Sequence, residues 1–205
     1  MTGHVRRVAL TGGIATGKSH VRVRLGQLGV ATIDSDRLAR DAVAPGSVGL
    51  AAVVRRFGRE VLAADGSLDR AKVGTIVFAD PAARHDLEAI VHPEVRRATD
   101  AWFASLNPAI DPFAVADIPL LFEVGRERDF DAVIVAACEA ETQVHRVMER
   151  DGLTETEARQ RLAAQLPIAD KVTRADFVIR TDGSYAETEQ QVDAVLSALR
   201  RQYAR

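Results

Sequence analysis

A single cysteine, Cys138, stands in a chain of 205 residues, so no intrachain disulfide can form and a reducing compartment is expected. It closes the apolar run Val133 to Cys138 with no activating base nearby, the setting of a buried structural thiol. No stretch approaches the roughly 20 apolar residues that cross a membrane. Only Val8, Ala9 and Leu10 separate the basic His4, Arg6 and Arg7 from the turn at Thr11-Gly12-Gly13, too few for a signal sequence, and a cytoplasmic location is expected. An excess of charge of one sign is missing as well. The 27 Lys and Arg against 29 Asp and Glu leave a net charge of −2, which argues against holding nucleic acid by general electrostatics. Repeats and low-complexity tracts are absent, and an apolar fraction of 47% with 27% charged residues belongs to an ordinary globular protein. The length fits one domain with an inserted subdomain.

What is present is more specific. Gly12-Gly13-Ile14-Ala15-Thr16-Gly17-Lys18-Ser19 follows the pattern Gly, four residues, Gly-Lys-Ser, directly after Val8-Ala9-Leu10. Glycines let consecutive backbone N–H groups converge on phosphate oxygens, and the loop ends at a helix N-terminus that favours anions. Lys18 can then reach the β- and γ-phosphates of a nucleoside triphosphate, and Ser19 can ligate Mg²⁺. A plain turn between strand and helix explains neither the lysine nor the serine.

Five short apolar runs, Val8–Leu10, Val30–Ile33, Phe113–Ala116, Ala132–Ala136 and Phe177–Ile179, alternate with charged segments of helical period. Several are apolar without alternation, as strands of a parallel sheet covered on both faces are, so βαβ units and a layered α/β fold are expected. Between them, Arg37 to Leu106 is helical, broken at Pro45-Gly46 and Ala64-Asp65-Gly66. Glu141 to Arg174 carries Arg146, Arg150, Arg159, Arg161, Lys171 and Arg174 among acids. That composition suits a solvated, salt-bridged face; beside a phosphate loop it also suits a lid that supplies arginines. At the end of the chain, Ser184 with Glu187 is a capping box, and Val192, Val195, Leu196, Leu199 and Tyr203 recur at core-packing helical spacing.

Two acidic strand ends stand out. Ile33-Asp34-Ser35-Asp36 puts two carboxylates at the carboxyl edge of the sheet, facing the same side if the backbone stays extended. One could orient an acceptor hydroxyl and take its proton, or cap the helix that follows. Asp117, before Ile118-Pro119-Leu120-Leu121-Phe122-Glu123, matches the second acid of phosphate-loop enzymes, which holds Mg²⁺ directly or through water. His92, before Pro93, reads either as a helix-terminal hydrogen-bonding residue or as a ligand. No Asn-Lys-x-Asp run marks a guanine-specific switch, and from these motifs alone a kinase for a nucleoside monophosphate or a sugar stays open.

Taken together, Thr11 to Ser19, Ile33 to Asp36 with Arg40, Val91-His92-Pro93, Pro119 to Glu123, Arg146 to Gln165, and Ala175 to Ile179 with Gly183 resemble the dephospho-CoA kinase family over nearly the whole chain. The resemblance implies a P-loop fold: a five-stranded parallel core flanked by helices (about 1–36, 108–140 and 175–205), a helical acceptor-binding subdomain (about 37–107) and a helical lid (about 141–174). It implies transfer of a phosphoryl group from MgATP to dephospho-CoA, with no nucleic acid, membrane or obligate protein partner. It selects Asp36 as base, with Lys18, Arg146 and Arg150 also catalytic. Residues Gly12 to Ser19 and His20 fall on ATP, Asp34, Arg40, His92 and Glu123 on the acceptor, and Ser19 and Asp117 on the metal. The loop Ala175 to Gly183 falls near adenine. Ala15, Thr16, His20 and Thr181 depart from the usual Gly, Ser, Thr and Asn; if position 15 needs φ > 0, alanine costs roughly 1–2 kcal/mol there.

Overall fold

Strands β1 (Arg6–Gly12), β3 (Phe113–Asp117) and β4 (Ala132–Ala137) are almost continuously buried, as strands covered on both faces must be. With β2 (Thr32–Asp34) and β5 (Phe177–Arg180) they form one parallel sheet in the order β2-β3-β1-β4-β5. The computed structural model describes residues 4–203. Four of the five apolar runs of the sequence lie within strands, and the fifth, Val30–Ile33, overlaps β2 only from Thr32 onward.

Between the strands lie helices α1 (Lys18–Gln27), α2 (Ser35–Asp41), α3 (Val48–Phe57), α4 (Arg70–Ala79) and α5 (Pro81–Ser105), then α6 (Ala140–Asp151), α7 (Glu155–Ala163) and α8 (Ile168–Thr173), and α9 (Tyr185–Tyr203) follows the last strand. On one face of the sheet Val8, Leu10, Val115 and Ile134 pack against Val21 and Leu25 of α1 and Val192, Leu196 and Leu199 of α9. The start of α9 is the expected capping box: Ser184 Oγ accepts from Glu187 N–H, while Ser184 N–H and Oγ–H donate to Glu187 Oε2 at 2.7 and 2.9 Å. Chain order reverses beside the central β1, so the loop after β1 occupies the position where open α/β sheets take ligands.

The described chain forms two units, one holding the sheet (up to Asp34 and from Ser105 onward) and one spanning Ser35–Ala104. The second has its own apolar centre, with Val43, Val53, Phe57, Val61, Val73 and Ala83 joined by Leu87, Ile90 and Val91. Its helices start on side-chain caps: Ser47 Oγ accepts from Leu50 N–H on α3, and Asp69 from Lys72 N–H on α4.

Two local expectations are corrected here. Asp34 and Asp36 do not share an extended backbone, because β2 ends at Asp34 and α2 begins at Ser35, which puts Asp36 in the first helical turn. His92 is not helix-terminal: α5 runs through Pro93 to Ser105. A proline inside a helix removes one backbone bond but need not end it when neighbours hold the rest; here Val95, Thr99 and Phe103 beyond it are buried.

Candidate active site

Between β1 and α1, the loop Gly12–Gly17 is fixed through its carbonyls, by its own Thr16 and by side chains from outside. Lys171 Nζ donates to Gly12 O at 3.1 Å, Thr16 Oγ1 to Gly13 O at 2.9 Å and Gln143 Nε2 to Ile14 O at 2.7 Å. An Arg146 guanidinium nitrogen reaches Ala15 O at 3.4 Å, and Thr181 Oγ1 donates to Thr16 O at 2.8 Å. No peptide bond among the described residues is cis. In a trans peptide the C=O and the following N–H point in opposite directions, so each carbonyl fixed on one side aims the next N–H to the other. A row of N–H groups so aimed is an anion cradle. The structure thereby gives the glycine-rich pattern a mechanical basis in five side chains, three of which lie on α6 and α8.

The cradle contains two left-handed residues. Gly17, which caps α1, has φ 74°, and Ala15 has φ 57°, the one non-glycine residue with positive φ among those described. A Cβ on Gly12 would meet Ala136 O at 2.6 Å, a backbone atom that cannot give way. Glycine is therefore required at 12 by space and favoured at 15 by conformation. Ala15→Gly should relieve about 1–2 kcal/mol of strain and return about 0.4–1 kcal/mol to unfolded-chain entropy, a net stabilisation of about 1 kcal/mol at the middle of those ranges. In thermal denaturation that is a rise of about 2–4 °C; a lower melting temperature would show that Ala15 is not strained.

At the other side of the loop, Lys18 pairs with Asp117, the last residue of β3. Arg22 of α1 bridges Asp117 at 3.2 Å and Asp34 at 3.4 Å, and the two aspartates are register partners on β2 and β3. Burial pushes the Asp117 carboxyl up, against the pull of Lys18 and Arg22. Glu123 is tied elsewhere: it pairs with Lys171 at 2.7 Å and accepts from Leu166 N–H at 3.1 Å. Lys171 itself is fully buried, so this pair and Gly12 O are what neutralise and satisfy its ammonium group.

His20 lies one residue past the loop pattern, its ring 4.7 Å from that of Tyr185 and its Nε2 3.5 Å from Glu189. Beside it a cleft of about 370 Å³ is lined by Gly17, His20 and Arg146 together with Thr181, Gly183, Ser184, Tyr185 and Thr188. Arg146 donates to Thr181 O at 2.6 Å and so joins this cleft to the loop. Arg150 is exposed and binds Asp151 at 2.8 and 3.0 Å, holding that carboxyl below its usual range; Arg161 binds the same carboxylate. Arg159 pairs with Glu141 and Glu155, the salt-bridged face that this segment's composition also suited. Cys138 is buried, and burial pushes its thiol up. In the second unit, Asp36 and Arg40 lie in the first and last turns of α2, and His92 is exposed on α5.

Arg22, Gln143 and Gln165 carry no site motif in the sequence, and Lys171 stands there only as one charge in a segment that suits a solvated face or a lid. No short-range spacing could have found them, since their partners lie up to 159 residues away.

A phosphate loop after the central strand of a parallel five-stranded sheet, followed by Lys18 paired with a strand-end aspartate, makes this protein a P-loop kinase. The dephospho-CoA kinase family model matches residues 6–187. The chain is 48% identical over 196 residues to the dephospho-CoA kinase of Anaeromyxobacter dehalogenans, covering 96% of this chain and 93% of that one. It is 44% identical to that of Geobacillus kaustophilus over 189 residues, covering 92% and 94%. Among solved structures it is similar to a dephospho-CoA kinase from Campylobacter jejuni, with a TM-score of 0.74 and 29% identity over 96% of this chain and 98% of that one. A shikimate kinase from Acinetobacter baumannii, at 16% identity and a TM-score of 0.55 over 98% and 96% of the two chains, shares the fold. The chain belongs to the dephospho-CoA kinase family.

Proposed function

We propose that the protein transfers the γ-phosphate of ATP to the ribose 3′-hydroxyl of dephospho-CoA, giving coenzyme A and ADP. The observation that carries this is the phosphate loop with its carbonyls fixed from Gly12 to Thr16, in a chain that belongs to this family over nearly all its length. Gly12 to Ser19 take the phosphates, and the cleft beside His20 and Tyr185 takes the base.

Asp36 accepts the proton of the 3′-hydroxyl as its oxygen attacks the γ-phosphorus. The new O–P bond forms as the bond to the bridging oxygen of ADP breaks. Lys18 neutralises phosphate charge, and to do so it must share or leave Asp117. Bound with ATP, Mg²⁺ would supply positive charge against the phosphates. Ser19, exposed in the first turn of α1, and Asp117 are the residues that would hold it, and hydroxyl and carboxylate oxygens suit a hard cation that keeps much of its water. We assign acceptor binding to the segment 37–107, through Arg40 and His92 with Asp34, and lid closure over the transferring group to 141–174, through Arg146 and Arg150. Glu123 acts at the acceptor side by fixing Lys171 and the start of α8. Among the described residues no helix is long and apolar enough to cross a membrane, and a buried free thiol suits the cytoplasm, where we place the protein.

ADP release from MgATP tests the acceptor. Dephospho-CoA should stimulate it strongly, while AMP, CMP, shikimate and gluconate should not. Equal or greater stimulation by one of the others would keep the phosphoryl-transfer chemistry and reject dephospho-CoA as substrate.

A further inference from the structure

Among the described residues, Gln165, between α7 and α8, makes an outside contact of a different kind on this loop. Its Oε1 accepts from Ile14 N–H at 2.8 Å, whereas the other side chains that reach Gly12–Thr16 from outside donate to carbonyls. An N–H in a phosphate cradle is a group a phosphate would take, and here a neutral amide oxygen has it. Position along the loop indicates which phosphate. The cleft assigned to the base adjoins Gly17 and His20 at the α1 end, so a phosphate chain running from it along the loop ends toward Ile14.

We propose that Gln165 Oε1 stands in for an oxygen of the terminal phosphate on Ile14 N–H and yields that N–H when a nucleoside triphosphate binds. Gln165 is then a positioning residue that links the γ-phosphate to the segment joining α7 and α8. An anionic phosphate oxygen is the stronger acceptor and displaces the amide, which is released to water. A diphosphate does not reach Ile14 and leaves the contact in place. The proposal rests on the assignment of Gly12–Ser19 as the ATP site.

The test compares affinity for adenosine 5′-(β,γ-imido)triphosphate with affinity for ADP. In Gln165→Ala the competitor is gone for the triphosphate alone, so its preference over ADP should rise about 2- to 10-fold, the range of one net hydrogen bond. If both affinities change by the same factor, or the preference falls, Gln165 is only a brace and the proposal is wrong. The parent protein gives a second readout that needs no variant. Amide exchange at residues 164–166 should be faster with the triphosphate analogue than with ADP, and equal exchange would overturn the proposal. Failure of the parent to bind either nucleotide would instead remove the ATP site on which the proposal stands.

Discussion

Asp36→Asn should lower the rate of phosphoryl transfer at least about 100-fold while ATP affinity stays near the parent value. Asparagine keeps the size of the side chain and its place in the first turn of α2, but cannot take the proton of an attacking hydroxyl. The loss therefore belongs in turnover, not in nucleotide binding. Single-turnover kinetics with saturating MgATP and dephospho-CoA give the chemical step directly. An unchanged rate would remove Asp36 as base and return attention to Asp34, whose carboxylate Arg22 shares with Asp117.

Lys171→Met should cost about 3 kcal/mol of stability, a drop of about 6–12 °C in melting temperature for a chain of this size. Lys171 is fully buried; removing its ammonium leaves the Glu123 carboxylate without its ion pair and Gly12 O without its donor. A cost at the low end of the range for broken buried pairs is expected because Glu123 retains 20% side-chain exposure. Adding Glu123→Gln removes the orphaned charge and keeps an acceptor for Leu166 N–H, so the double variant should recover part of the loss. ATP affinity should stay reduced in both, since Gly12 O loses its donor in either case. An unchanged melting temperature in the single variant would mean that the pair contributes nothing to folding.

The parts legible in the sequence are those that local chemistry dictates. The five strands show as short apolar runs, unbroken in the covered β1, β3 and β4, and the phosphate loop shows as glycines, lysine and serine at fixed spacing, because each constraint acts within a few residues. Ser184 and Glu187 declared the start of α9 for the same reason. The side chains that fix the loop from outside left no such mark. Lys171 sits in a charged stretch that suits a solvated face, and only Glu123 and Gly12 O, remote in sequence, explain its burial. Thr181 departs from the family's usual asparagine, and its hydroxyl serves the loop backbone at Thr16 O. The Asp34 and Asp36 pair was misjudged because alternation holds only while the backbone stays extended, and the helix starts one residue after Asp34. Pro93 misled for a related reason: its effect on a helix depends on the packing around it, here the burial of Val95, Thr99 and Phe103.

The most direct test of the central claim is to incubate the protein with MgATP and dephospho-CoA and identify the product by mass and by ³¹P NMR. The expected product is coenzyme A carrying a new phosphomonoester on the ribose 3′-oxygen, formed in equal amount with ADP. ADP accompanied by free phosphate and unchanged dephospho-CoA, or a phosphate on another hydroxyl, would contradict it.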